Sequence, residues 1–113
     1  MKEEKMCLYE GMYVIKANIS DEAKKGLEDQ LKTLITSRGG EIKKEHDMGR
    51  RRLSYEINKH KEGNYFLLYF NLAPSGIKDL WKEYHLMEDL LRFVTLRTEE
   101  VLEKLEFKSL AEH

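Results

Sequence analysis

A chain of 113 residues is long enough for one domain with a modest core, and its 41% hydrophobic and 36% charged residues exclude a disordered polymer. No apolar run approaches the ~20 residues that span a bilayer. The opening Met1-Lys2-Glu3-Glu4-Lys5 has no signal-like apolar stretch, so the expected compartment is the cytoplasm. The single cysteine, Cys7, excludes an internal disulfide and a cysteine-rich zinc site, and a net charge of −1 excludes a uniformly basic nucleic-acid coat.

Residues 1–7 are read as an extension. A first strand runs from Leu8 to Ile15, where tyrosine, valine and isoleucine suit a pleated surface. Ser20 is a good helix N-cap, followed by Asp21 and Glu22 where the helix dipole favours anions. Ala23, Leu27, Leu31, Leu34 and Ile35 then fall on one helical stripe. Arg38 is expected in the last turn, with Gly39-Gly40 closing it. The stretch from Glu41 to Asn58 is long for one strand. Ile42 and Met48 are even-numbered while Leu53, Tyr55 and Ile57 are odd, so the apolar face needs one extra residue, and a β-bulge is expected near Gly49. His60 to Asn64 reads as a polar turn around Gly63. A continuous apolar strand follows, Tyr65-Phe66-Leu67-Leu68-Tyr69-Phe70. Pro74-Ser75 opens a second helix, with Ile77, Leu80, Trp81 and Tyr84 on one face. A last strand, Leu91 to Thr98, ends the domain, and residues 99–113 form an acidic tail.

The order βαββαβ gives an α+β, ferredoxin-like fold: a four-stranded antiparallel sheet, strands one and three central, both helices on one face. In such a sheet a central strand should alternate, apolar toward the helices and polar toward water. The third strand does not. Tyr65, Leu67 and Tyr69 point one way and Phe66, Leu68 and Phe70 the other, and parity alone leaves open which set faces out. A second apolar face suggests either a protein partner or the acidic tail, with Leu102, Leu105, Phe107 and Leu110, folded back over it.

Charge is unevenly distributed. Lys43 to Lys61 holds seven basic residues against three acids, a net of +4, whereas Glu83 to the end holds eight acids against four basic residues, a net of −4. Three guanidiniums in sequence, Arg50-Arg51-Arg52, cannot share one face of a regular strand, so a bulge beside them is expected to fan them outward. Arginine binds phosphate bidentately and is weakly hydrated, which suits an RNA backbone. Lys59, His60 and Lys61 extend the patch. The alternative is a solvated edge strand protected by charge. Catalytic and metal-binding readings find little: His46, His60, His85 and His113 lack paired metal spacing, no glycine-rich phosphate loop occurs, and Cys7 has no identifiable base. No catalytic residue, metal or cofactor is therefore expected.

The run from Asp47 to Lys59, Asp-Met-Gly-Arg-Arg-Arg-Leu-Ser-Tyr-Glu-Ile-Asn-Lys, resembles the bacterial small-subunit ribosomal protein S6 family, which carries D/E-x-G-x-R-x-L-A-Y-x-I-x-K at this place. Leu8-Tyr9-Glu10, the stretch Leu86 to Arg92 and Arg97-Thr98 resemble its start and its fourth strand. The resemblance implies a ferredoxin-like protein that binds the central domain of small-subunit ribosomal RNA as a heterodimer with ribosomal protein S18, without catalysis, membrane or small-molecule substrate. It assigns RNA binding to Arg50, Arg51, Arg52, Lys59, Lys61, Arg92 and Arg97. Glu56 replaces the family's usual proline and Ser54 its alanine. The ending Ala111-Glu112-His113 gives no ground for the added glutamates that some relatives carry.

Three other readings share the topology. An acylphosphatase-type enzyme needs an arginine in the loop after the first strand, but that loop is Lys16-Ala17-Asn18-Ile19. An RRM-type binder needs a glycine-aromatic motif on the third strand, and the glycine is missing. A homodimerising sensor domain would close its sheet face against a second copy.

Overall fold

A computed structural model describes residues 5–101. The elements are β1 (Cys7–Lys16), α1 (Asp21–Thr36), β2 (Glu41–Ile57), β3 (His60–Leu72), a 3-10 turn at Pro74–Gly76, α2 (Ile77–His85) and β4 (Leu90–Arg97). The sheet order is β2-β3-β1-β4, with every neighbouring pair antiparallel. This is the expected ferredoxin-like arrangement, with β1 and β3 central. The acidic-tail reading falls mostly on residues 102–113, outside the described residues.

One core explains the layering. Leu27, Leu31 and Ile35 of α1 and Ile77, Leu80 and Tyr84 of α2 bury against Tyr9, Tyr13 and Ile15 of β1 and Phe66, Leu68 and Phe70 of β3. Both helices therefore cover the same face. Each such side chain contributes roughly 1.5–3 kcal/mol when fully removed from water. Ser20 caps α1 by accepting from the Ala23 N–H at 3.1 Å. Inside the core the Tyr13 and Tyr84 hydroxyls share a hydrogen bond of 2.8 Å.

Around the core and the hairpin the structure departs from the sequence reading in three places. Helix α1 stops at Thr36, so Arg38 lies beyond it and donates from Nη1 to the Leu34 carbonyl. Trp81 is on the rim of α2, not in the core, its indole N–H donating to Thr95 Oγ1 at 3.2 Å. The hairpin turn is not around Gly63 but at Asn58-Lys59, whose φ angles of 49° and 69° are both positive; paired positive φ matches the right-handed strand twist. Gly63 lies within β3, opposite Arg51 on β2 and Lys16 on β1. A Cβ there would stand 2.5 Å from Val14 Cγ1, so only glycine lets Leu53 and Val14 close over that point.

Candidate nucleic-acid interface

Strand β2 divides at a bulge. Its register against β3 shifts between Asp47 and Gly49, and Gly49 sits at φ +77°, a conformation that disfavours any residue with a Cβ. Asp47 fixes the bulge from both sides: Oδ1 accepts the Gly49 N–H at 3.0 Å and Oδ2 accepts the Lys24 ammonium at 3.0 Å. The expected bulge is therefore present, but one extra residue does not account for the whole parity change. A second shift lies between Ile42 and Lys44, and Ile42 and Met48 pack on opposite faces despite both being even-numbered.

Just beyond the bulge the ladder is regular over three residues, Arg50, Arg51 and Arg52 pairing with Asn64, Gly63 and Glu62, before a third shift between Arg52 and Ile57. The arginines consequently alternate and do not fan. Arg50 and Arg52 line a shallow pocket of about 450 Å³ together with Lys59, His60, Lys61, Glu62 and the β1–α1 loop residues Ala17 and Asn18. Arg51 points to the opposite face, its Nε donating to the Met48 carbonyl at 3.1 Å. Arg50 is ion-paired with Glu62 through both Nε and Nη2. Arg52, Lys59 and Lys61 are exposed and enter no ion pair among the described residues. Four of the seven basic candidates thus converge, and three do not. Arg92 lies on the far face of β4, with its guanidinium carbon 5.5 Å from the centroid of the Tyr55 ring. Arg97 pairs with Tyr9 at the end of the sheet remote from the hairpin turn.

The sheet face away from the helices carries Tyr65, Leu67 and Tyr69, since Phe66, Leu68 and Phe70 belong to the helix-side core. That decides the parity question geometrically. The face is less bare than expected: Leu67 and Tyr69 are fully buried, and the His46 ring stands edge-on to Tyr69. Its accessible apolar surface lies between Leu96 of β4, 58% exposed, and Tyr55 of β2, 52% exposed. Between them runs an apolar groove of about 360 Å³, floored by Met12, Val14, Tyr65 and Val94 and overhung by Leu53, Tyr55 and Ile57 of the hairpin arm.

On the near half of β2 the charges are spent internally. Lys32 Nζ donates to Glu45 at 2.9 Å, which holds the ammonium above its ordinary range, and Lys43 pairs with Glu41 at 2.9 Å. Burial and the neighbouring Asp47 push the Glu28 carboxyl up. The sequence reading missed Asn18, Glu62 and Tyr55 as parts of these surfaces. Glu62 becomes findable once the turn is placed at Asn58-Lys59, because the register then sets it beside Arg50 and Arg52. Nothing in the sequence points to Asn18. Among the described residues no group of three or more histidine, cysteine, aspartate or glutamate side chains could hold a metal ion, and no helix is long and apolar enough to cross a membrane.

Comparison with known proteins gives a consistent picture. The family model described as Ribosomal protein S6 matches residues 8–97. The small ribosomal subunit protein bS6 of Protochlamydia amoebophila is 59% identical over 112 residues, covering 99% of this chain and 98% of that protein. The protein of the same name from Chlamydia caviae is 52% identical, covering 99% and 100%. In structure, the chain is similar to the 30S ribosomal protein S6 of Thermotoga maritima, with a TM-score of 0.80 and 33% identity over 83% of this chain and 89% of that one.

Proposed function

The chain belongs to the ribosomal protein S6 family, and on that premise we propose that it is a non-catalytic constituent of the small ribosomal subunit that binds the central domain of its RNA together with ribosomal protein S18. The observation that carries the RNA part is the convergence of Arg50, Arg52, Lys59, His60 and Lys61 around one solvent-open pocket on the hairpin arm. Guanidinium and ammonium groups on a two-stranded arm suit a phosphate backbone, where charge and spacing matter more than base identity. Arg51, Arg92 and Arg97 lie outside that pocket, so the arm contributes the main contact and these three a lesser one.

The partner part rests on charge and on the face opposite the helices. A net charge of −1 supplies little general attraction for a polyanion. A cationic partner seated on the groove beside Tyr65, with Leu96 and Tyr55 at its rim, would make good the deficit and join two sets of RNA contacts in one body. The domain proper is residues 8–98, and the site of action is the cytoplasmic ribosome.

The test has two arms. The protein from its native cell is expected to co-sediment with small subunits. Purified, it is expected to bind a central-domain RNA fragment weakly alone and much more tightly with S18. Equal affinity with and without S18 would refute the partner reading, and absence from small-subunit fractions would refute the whole assignment.

A further inference from the structure

Five side chains of the arm pocket carry or can carry positive charge, and one, Glu62, is an acid. Its placement is specific. By register Glu62 stands opposite Arg52, yet its carboxylate oxygen Oε2 is shared by Nε and Nη2 of the diagonal neighbour Arg50. A carboxylate is the protein group nearest to a phosphodiester in hydrogen bonding: anionic, acceptor-only and matched to the arginine fork. Arg50 therefore already holds an anion on the Nε–Nη2 edge of its guanidinium. The two side chains are 63% and 44% exposed, so the pair is a solvent-screened one that an arriving phosphate can displace.

We infer that Glu62 is a built-in competitor for phosphate at Arg50, and that it tempers the hold of the arm on any RNA backbone; this rests on the RNA reading above. A phosphate that takes the Nε–Nη2 edge of Arg50 must first displace Glu62. Every complex that uses that edge is weakened by this displacement, and the affinity of the arm is held below what its five basic side chains would supply alone.

The experiment uses the full chain and fluorescence anisotropy with a duplex RNA of arbitrary sequence, titrated over a KCl series. Glu62→Gln is expected to bind roughly threefold tighter at low salt and to steepen the log–log salt slope by just under one, the value of about one phosphate contact. Glu56→Gln removes the same charge from the same arm without freeing Arg50, and is expected to change little. In the Arg50→Ala background, Glu62→Gln is expected to bring no gain. A gain of equal size from Glu56→Gln, a gain that persists without Arg50, or no gain at all would each overturn the proposal. A parallel arm with Arg52, Lys59 and Lys61 all changed to alanine tests the RNA reading itself: an unchanged slope there refutes that reading, whatever Glu62→Gln does.

Discussion

The two halves of β2 are both rich in charge and put it to different uses. Before the bulge, Glu45 and Asp47 are answered by Lys32 and Lys24 of α1, and Glu41 by Lys43 of the strand itself. After it, Arg50 is paired with Glu62 of β3, while Arg52 of the strand, Lys59 of the turn and Lys61 of β3 are answered by nothing among the described residues. The difference follows from position. The near half runs beside α1, whose lysines reach its half-exposed acids. The far half runs past the end of the helices, where water screens it and a ligand can reach it. Net charge over the whole chain averages these halves and conceals both.

If that division is sound, substitutions under the helices should cost stability and spare RNA binding, while those on the arm should do the reverse. Leu68→Ala is the strongest test on the helix side. Leu68 is fully buried in the core between sheet and helices, and its truncation is expected to cost about 2–5 kcal/mol in guanidinium unfolding. RNA affinity of the folded protein should stay within experimental error. Leu67, which faces away from the helices, is also fully buried. A charge there is expected to destabilise the fold too, so Leu96→Asp is the better probe of the open face.

A second helix-side effect is alkaline. Burial pushes the Tyr84 hydroxyl up to about 12 and Tyr13 well above its ordinary value, and the two are hydrogen-bonded. The folded state therefore keeps protons that the unfolded chain releases near pH 10. Stability from this pair is fully present below pH 10 and is lost as pH rises toward 12, by roughly 2–3 kcal/mol for Tyr84 alone. Urea unfolding from pH 8 upward should show a plateau and then this decline, and Tyr84→Phe should flatten it. A wild-type curve that stays level through pH 11 would contradict the buried pair.

At the junction, Gly49→Ala should cost about 1–2 kcal/mol, because φ +77° brings a Cβ against the backbone. Thermal unfolding measures it. A neutral result would mean that the bulge relaxes, and that the division of β2 is softer than drawn.

How far the sequence discloses this depends on the kind of signal. The element order, the Ser20 cap and the bulge each follow from local chemistry and are present, as are both helical stripes except for Ala23 and Trp81, which are exposed. The resemblance at Asp47 to Lys59 locates the arm. What fails are inferences that need a register. Gly63 attracts the turn on sequence grounds because glycine tolerates positive φ, whereas Asn58 and Lys59 adopt it and Gly63 serves to admit Leu53 onto Val14. With the turn misplaced, the cross-strand neighbours of Arg50 and Arg52 cannot be named, so Glu62 escapes notice. The fanning of three arginines assumes that a bulge beside them splays the run, but Arg50, Arg51 and Arg52 pair in register with β3, and the next shift comes only between Arg52 and Ile57. Burial of Leu67 and Tyr69 depends on side chains from distant strands, which periodicity within one strand cannot supply.

The smallest expected effect on stability is also the sharpest test of the arm. Arg52, Lys59 and Lys61 are exposed, and surface substitutions away from caps, cores and networks usually fall within about 0.5 kcal/mol. Changing all three to alanine should therefore leave the unfolding transition almost where it was. RNA binding should respond strongly, because each phosphate that is no longer neutralised keeps its counterion and lowers the log–log salt slope by just under one. The full triple should lower it by about two to three, whereas Arg51→Ala, on the other face, should change it by well under one. A second triple, Lys24 and Lys32 of α1 and Lys43 of β2 to alanine, serves as the counterpart: it removes the same charge from the chain but leaves Glu41, Glu45 and Asp47 without these partners. That variant should unfold more easily and keep most of its salt slope. If both triples reduce the slope equally, RNA senses only total charge, and the two halves of β2 do not divide the labour.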